Sequence, residues 1–291
     1  MEKKEKRRFG DRKDGKLLRK IDPMHFIMPI IYPNRCDNEA YISERIDLEN
    51  INAYLTEKNA ANPDFKYTIF HVILAAMVKT ITLRPKMNRF IANKNMYQRN
   101  EISAAFTIKK VFEDESDEAL AFIHTKPTDT IDTIHESIRQ QVTACRSEKL
   151  DSSTESMDLF NRMPRFLSKA VTWFIVKLEK HGKCPQSLIE TDPYYSSVVL
   201  SNVGSIKLKC GYHHLTNWGT TSVFCLIGEK KKTAHYDENG NVEMRETVDI
   251  GLTIDERIAD GYYYAKTVRL IKYLLQEPKL LELPLSEPVE Y

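Results

Sequence analysis

The sequence predicts an α+β fold in two layers, with helices on one face of a mixed sheet. Several apolar runs alternate with period two, and four to five longer segments repeat apolar residues at spacings of three and four. The two kinds are interspersed along the chain. With 291 residues, 42% of them hydrophobic, the chain can bury one large core. A single domain over residues 19–291 is expected behind a basic N-terminal arm over residues 1–18.

The first twenty residues hold ten Lys or Arg and four acids, so this stretch is +6 and the remainder of a net +2 chain is −4. Such an arm is more often solvated than bound to nucleic acid or an anionic membrane, and aromatic interleaving is limited to Phe9. Turn chemistry at Asp14-Gly15 and a helix-stopping Pro23 make the following stretch an ordered lead-in. "AYISERIDL" alternates as a strand, and Asp47 is placed to cap a short helix with Leu48, Ile51 and Leu55 on one face. From Thr68 to Leu83 the pattern is apolar nearly all round, which predicts a helix buried in the middle of the fold. His71 on that helix reads as a hydrogen-bonded core residue ahead of a catalytic one.

"ISAAFTIKKVF", in the segment from Met96 to Phe112, and "ALAFIHT" form an antiparallel pair around the acidic turn "EDESDE". Ile131, Ile134, Ile138, Val142 and Cys145 mark an amphipathic helix ending near Lys149, and "LDSSTES" is a polar linker. A second long helix follows, with Pro164 in an early turn or ending a short helix before it, and Gly182 as its stop. Its face of Phe166, Leu167, Ala170, Trp173 and Phe174 is expected to be core. "SSVVLSNVGS" is a strand, and "SVFCLIGEKKK" and "VEMRETVDIGLTID" are two more, joined by a hairpin at Asn239-Gly240. In the last strand Val248, Ile250, Leu252 and Ile254 point one way while Asp249, Gly251, Thr253 and Asp255 point the other. A final helix through Tyr264, Val268, Ile271 and Leu275 ends at Pro278.

Composition and motifs exclude several classes. The five cysteines are scattered without a C-x-x-C pair, so neither a disulfide framework nor a metal site is expected. The longest apolar run, "IFHVILAAMV", is half the length of a bilayer span, and no signal peptide is visible. A cytoplasmic protein with no membrane partner is expected. There is no H-E-x-x-H, Gly-rich phosphate loop or G-x-S-x-G elbow.

What remains is "LTIDERIADGYYYAK", where a strand ends in Asp255-Glu256-Arg257 and a helix begins after Asp260-Gly261. By itself it says that polar groups gather at a sheet edge, and a surface carboxylate paired with Arg257 is the commonest reading. Together with "YTIFHVILAAMVKTITLRPKMNRFI", with its Pro85-x-x-Asn88, and with Ser201-Asn202-x-Gly204, in this order, it resembles the catalytic domain of the dihydrolipoyl acyltransferases of 2-oxoacid dehydrogenase complexes, relatives of chloramphenicol acetyltransferase. The resemblance spans about Arg19 to Glu282. It implies a two-layer α/β sandwich of the chloramphenicol acetyltransferase-like type, assembled as a homotrimer with the active site in a channel between subunits. Coenzyme A or acyl-CoA would be a substrate, not a permanently bound cofactor, and a thiol or hydroxyl would accept the acyl group. It further implies that a histidine in H-x-x-x-D-G is the base, that the Ser of S-N-x-G stabilises the oxyanion, and that the motif aspartate holds the loop.

Carried over, Ser201 matches the oxyanion hydroxyl, with Asn202 and Gly204 beside it at the coenzyme A end. Asp260 matches the structural aspartate, Gly261 the tight turn, and Asp255 and Arg257 belong to the loop. Glu256 stands where the histidine should be. A carboxylate with an ordinary pKa near 4.3 facing a thiol near 8.5 is about four units too weak, roughly 5–6 kcal/mol of unfavourable proton transfer. Burial in an apolar channel recovers about half or more of that deficit. Alternatively His213 or His214, in the loop after Ser201, supplies the missing imidazole, although a loop pair facing solvent or a neighbouring subunit is the commoner state. Two functions follow: a stand-alone coenzyme A-dependent acyltransferase, or an inactive trimer kept for binding or scaffolding. The short arm leaves no place for a lipoyl-bearing domain, so the acceptor is expected to arrive free or on another protein, and nucleic acid is not an expected partner.

Overall fold

The computed structural model describes residues 7–109, 118–146 and 162–291. A six-stranded mixed sheet organises the chain, in the order β2-β9-β8-β7-β5-β6. Its strands are β2 (Glu39–Asp47), β5 (Ile102–Lys109), β6 (Glu118–Thr125), β7 (Val198–Asn202), β8 (Val223–Tyr236) and β9 (Val242–Asp255). Only β5-β7 and β7-β8 are parallel; every other neighbouring pair is antiparallel. One face is covered by α2 (Glu49–Lys58), α3 (Ile69–Leu83), α4 (Ile131–Arg146) and α7 (Gly261–Gln276), which share a core cluster with Val198, Leu200, Cys225, Ile250, Leu252 and Ile254. This is the expected two-layer architecture. Among the described residues, no helix is long and apolar enough to cross a membrane.

The other face carries no helix of this cluster. A loop after β7 crosses it instead, and Leu215 joins Ala105, Val199, Phe224 and Leu226 in a second cluster. Two glycines permit the crossing. A Cβ on Gly251 would lie 2.1 Å from the Gly211 carbonyl oxygen, and one on Gly228 would lie 2.6 Å from the Cys210 nitrogen. Substituting either would lift the loop off the sheet.

Several local expectations hold, and others give way. The Asn239-Gly240 hairpin joins β8 to β9, with Gly240 at φ +82°. Leu48, not Asp47, is the N-cap of α2, while the Asp47 carboxylate accepts the Glu49 N–H at 2.9 Å. Met96 does not share a strand with Ile102. Instead β4 (Asn95–Arg99) pairs with β3 (Arg89–Ala92) and β1 (Gly15–Leu17) in a separate three-stranded sheet, turning through Asn93 and Lys94, both at positive φ. The expected arm is therefore structured from Asp11 onward: Arg12 and Asp14 are buried and form a two-pronged ion pair. The acidic turn after residue 112, save Glu118 at the start of β6, and the linker over residues 150–156 lie outside the described residues.

The largest departure concerns α5 (Arg165–Lys180), which has no buried residue; Phe166, Leu167, Trp173 and Phe174 are exposed. The three-to-four repeat correctly gives an apolar face but cannot say which surface covers it. Helix α5 touches the body through Ile175, packed on Cys184 and Tyr195 beside α6 (Gln186–Thr191), and through Glu179, whose carboxylate lies 3.0 Å from Arg12.

His71 is the core residue it was expected to be. It sits in the first turn of α3, where Nδ1 accepts the Thr68 N–H at 3.0 Å, and its ring lies against Phe65 and His135. Burial, and next the charge of His135, push it down to about 3 from 6.5. The ring is neutral in the fold and takes a proton on unfolding, so its contribution is fully present above pH 6.5 and is lost as pH falls toward 3. Across that window the loss is on the order of 4 kcal/mol. His71→Gln keeps an acceptor for Thr68 without titrating, so urea midpoints measured from pH 7 to pH 4 should fall less steeply in the variant than in the wild type.

Candidate active site

Strand β9 delivers its last residue into a buried ion cluster. Asp255 is 0% and Arg257 1% exposed, and they are joined twice, Nε to Oδ1 at 2.7 Å and Nη2 to Oδ2 at 2.6 Å. Asp255 Oδ1 also accepts the Arg257 N–H at 3.2 Å. The buried Arg35 guanidinium stands 3.7 Å from Asp255 Oδ2 and donates to the carbonyls of Thr216 and Ile91. The expectation of a surface carboxylate is thus corrected: the Asp255–Arg257 pair lies inside, and its burial is tolerable because the two charges oppose and hydrogen-bond each other, while Arg35 adds a second buried cation whose Nε has no hydrogen-bond partner.

This cluster fixes a 3-10 turn (Glu256–Ile258). Because Asp255 and Arg257 both turn inward, the residue between them must turn outward, and Glu256 is exposed with its N–H on the Asn38 carbonyl at 2.9 Å. Arg257 Nη1 donates to the Tyr32 carbonyl at 2.7 Å, which ties the turn to α1 (Pro23–Ile31). Helix α1 faces outward with Met24, Phe26, Ile30 and Ile31. Tyr264 closes the turn from the far side, donating to the Asp255 carbonyl at 3.0 Å. Asp260 is the N-cap of α7: Oδ1 accepts the Tyr263 N–H at 2.8 Å, and this bond, before the nearby Lys86, holds its carboxyl below the usual range. Gly261 opens α7 without a positive φ, and open space surrounds the position of a Cβ, so the turn makes no demand for glycine there.

Ser201 is brought in by the parallel pairs. Its register partner on β8 is Leu226, and its hydroxyl lies 3.1 Å from that of Thr107 on β5. Beside it opens a cavity of about 230 Å³ with a floor of Phe70, Phe106, Ile138 and Val142, and with Ser201, Asn202 and Ser205 among its polar lining. Gly204 is required by close approach, since a Cβ would meet the Gly228 carbonyl oxygen at 2.3 Å. Thr107 was missed by sequence reasoning. Alternation puts it on a face of β5, but only the β5-β7 pairing sets it against Ser201.

Ser201 and Glu256 do not meet within one chain. Ser201 is level with Leu226 and hence with Gly251, two strands away, and Glu256 lies five residues further on, just past the end of β9. At ~3.3 Å per residue and ~4.8 Å per strand, the separation is about 19 Å. The histidine pair lies between them. His213 stacks on Phe224 with centroids 4.2 Å apart, and its Nδ1 is 2.8 Å from the His214 carbonyl. Phe224 is opposite Val199, two residues before Ser201, while the Leu215 N–H donates to Glu39, the register partner of Asp255. His213 and His214 thus sit on the same open face as Ser201 without contacting it. Among the described residues no group of His, Cys, Asp and Glu is placed to hold a metal ion.

Removing one half of the ion cluster should be costly. Arg257→Ala strips Asp255 of both its guanidinium hydrogen bonds and leaves it buried with only Arg35, 3.7 Å away, so a loss of about 3–5 kcal/mol in denaturant unfolding is expected. The double variant with Asp255→Ala should lose less than the sum of the two single changes.

Residues 186–283 match the family model of the 2-oxoacid dehydrogenases acyltransferase (catalytic domain), a stretch that contains both Ser201 and the Glu256 turn. No curated protein matches the sequence. Among solved structures, the dihydrolipoamide acetyltransferase (E2p) of Azotobacter vinelandii aligns with a TM-score of 0.61 at 13% identity, over 91% of this chain and 94% of that one. A probable dihydrolipoamide acetyltransferase from Listeria monocytogenes aligns with 0.59 at 14%, over 89% and 93%. A chloramphenicol acetyltransferase aligns with 0.54 at 12%, over 90% and 99%. The chain therefore has the two-layer fold of chloramphenicol acetyltransferase and, over residues 186–283, resembles the catalytic domain of the 2-oxoacid dehydrogenase acyltransferases.

Proposed function

We propose that the protein is a coenzyme A-dependent acyltransferase whose site is completed between subunits of a homotrimer, with Ser201 of one subunit facing Glu256 of the next. The observation that carries this reading is an open apolar cavity with a hydroxyl pair at its rim. The Ser201 and Thr107 hydroxyls lie 3.1 Å apart, and with Thr107 as the donor the Ser201 O–H is left to donate toward the cavity. An acyl-CoA carbonyl oxygen set there gains a donor as it becomes an oxyanion. The thiol or hydroxyl acceptor gives its proton to the Glu256 carboxylate and attacks the carbonyl carbon. Collapse of the tetrahedral intermediate breaks the carbon–sulfur bond, and the coenzyme A thiolate leaves with the proton that Glu256 returns.

Glu256 needs an environment its own chain does not give. Exposed in a single subunit, it can be removed from water only by a partner, and the apolar outer side of α1 beside it offers a surface for one. The Azotobacter vinelandii enzyme has been investigated for the roles of a serine, a histidine and an asparagine in its catalytic mechanism, the asparagine four residues beyond the histidine. The same spacing separates Asp260 from Glu256. His213 and His214 are the second candidates for the base, on the open face near Ser201. Asp255 and Arg257 hold the turn, Asp260 starts the helix behind it, and Asn202 and Gly204 shape the end of β7 at the cavity.

The assay is release of the coenzyme A thiol from acetyl-CoA in the presence of a panel of small thiols and alcohols. Turnover is expected in the wild type, falling at least tenfold in both Glu256→Gln and Ser201→Ala. Retained rates in Glu256→Gln with loss in His213→Ala or His214→Ala would move the base to the loop. Absence of turnover in the wild type would favour the inactive scaffold.

A further inference from the structure

Two apolar surfaces stand open on this chain, and they differ in charge. The α1 stretch "PMHFIMPII" holds no Lys, Arg, Asp or Glu and lies against the Glu256 turn, which suits a protein partner. Helix α5 is different. Phe166 is 75% and Trp173 64% exposed, with Phe174 and Leu167 beside them on one outward arc. Arg162, Arg165, Lys169, Lys177, Lys180 and Lys183 accompany this arc, and none pairs with a carboxylate among the described residues. The one acid from 162 to 183 is Glu179, and it turns inward to Arg12.

We infer that α5 is a membrane-surface element that lies on an anionic bilayer, an activity separate from acyl transfer. The helix is held to the body along a single edge, by Ile175 and Glu179, so its opposite arc is free to enter a lipid surface without unfolding anything. Aromatic rings occupy the depth between acyl chains and headgroups, while long cationic side chains lie along apolar surface and keep their charge among the phosphates. Lys177 already adopts this posture, with Nζ 4.8 Å from the centroid of the Trp173 ring. A neutral surface would satisfy the rings but not the cations; an anionic leaflet satisfies both. A second protein copy with a matching acidic groove is the competing occupant.

The test uses the full-length protein with vesicles of phosphatidylcholine alone and of equal parts phosphatidylcholine and phosphatidylglycerol. The wild type should sediment with the anionic vesicles and not with the neutral ones, and Trp173 emission, read as the difference from Trp173→Phe, should shift to shorter wavelength on mixing. A Phe166→Ser, Trp173→Ser, Phe174→Ser variant and a Lys169→Glu, Lys180→Glu variant should each lose sedimentation by tenfold or more. Their unfolding midpoints should stay close to wild type, since the changed residues are exposed. No sedimentation with either vesicle, or equal sedimentation by wild type and both variants, would overturn the proposal. So would a wild-type mass in solution larger than that of the triple variant, with Trp173 emission already shifted before lipid is added, because a second copy would then cover this face.

Discussion

The buried pairing of Asp255 with Arg257 is the constraint on which the candidate site depends. A strand that leaves a sheet exposes backbone groups, and a three-residue turn has few of its own with which to satisfy them. Here one carboxylate accepts from the Arg257 backbone and from two guanidinium nitrogens, while Arg257 reaches on to the Tyr32 carbonyl. The cluster ties the end of β9 to α1, and through Arg35 to the loop that crosses the open face. Its local consequence is geometric. With both neighbours drawn inward, position 256 is presented outward whatever residue occupies it, so the turn fixes where Glu256 stands and leaves its chemistry to the side chain.

Sheet order supplies the second constraint. The crossover that makes β7 parallel to both neighbours puts the Ser201 hydroxyl at one end of the sheet, while the β8-β9 hairpin returns β9 to the other. No side-chain rotation spans the about 19 Å between Ser201 and Glu256. A chain that used both in one reaction would need a neighbour, and the uncovered apolar residues of α1 lie next to the turn that would need it. Oligomerisation in this account is part of the site's chemistry, because it would both join the two ends and exclude water from the carboxylate.

Much of this was legible in the sequence, for identifiable reasons. Period-two alternation in "VEMRETVDIGLTID" gave the strand, its face and the direction of Asp255; Asn239-Gly240 gave the hairpin; the all-round apolar character of Thr68 to Leu83 gave the central helix. The loop and Ser201 were found through a resemblance of motifs in order, which the match over residues 186–283 supports. What escaped was whatever depends on pairing between distant segments. Nothing local in "NRFIANKNMYQR" says that it folds against Gly15–Leu17. Thr107 becomes Ser201's partner only through the β5-β7 register, and the apolar face of α5 looks like core because periodicity carries no information about what lies opposite. Burial of the Asp255–Arg257 pair was hidden for the same reason, since Arg35 and Tyr32 come from more than two hundred residues away in the chain.

Mixing subunits tests the central claim most directly. Ser201→Ala and Glu256→Gln chains, each inactive alone, would be co-expressed and assayed for acyl-CoA turnover. In a trimer with sites between subunits, each mixed assembly holds one intact Ser201–Glu256 pairing out of three, so random assortment of equal amounts restores about a quarter of wild-type activity. A mixture as inactive as its parents, from subunits shown to assemble together, would contradict a site shared between chains.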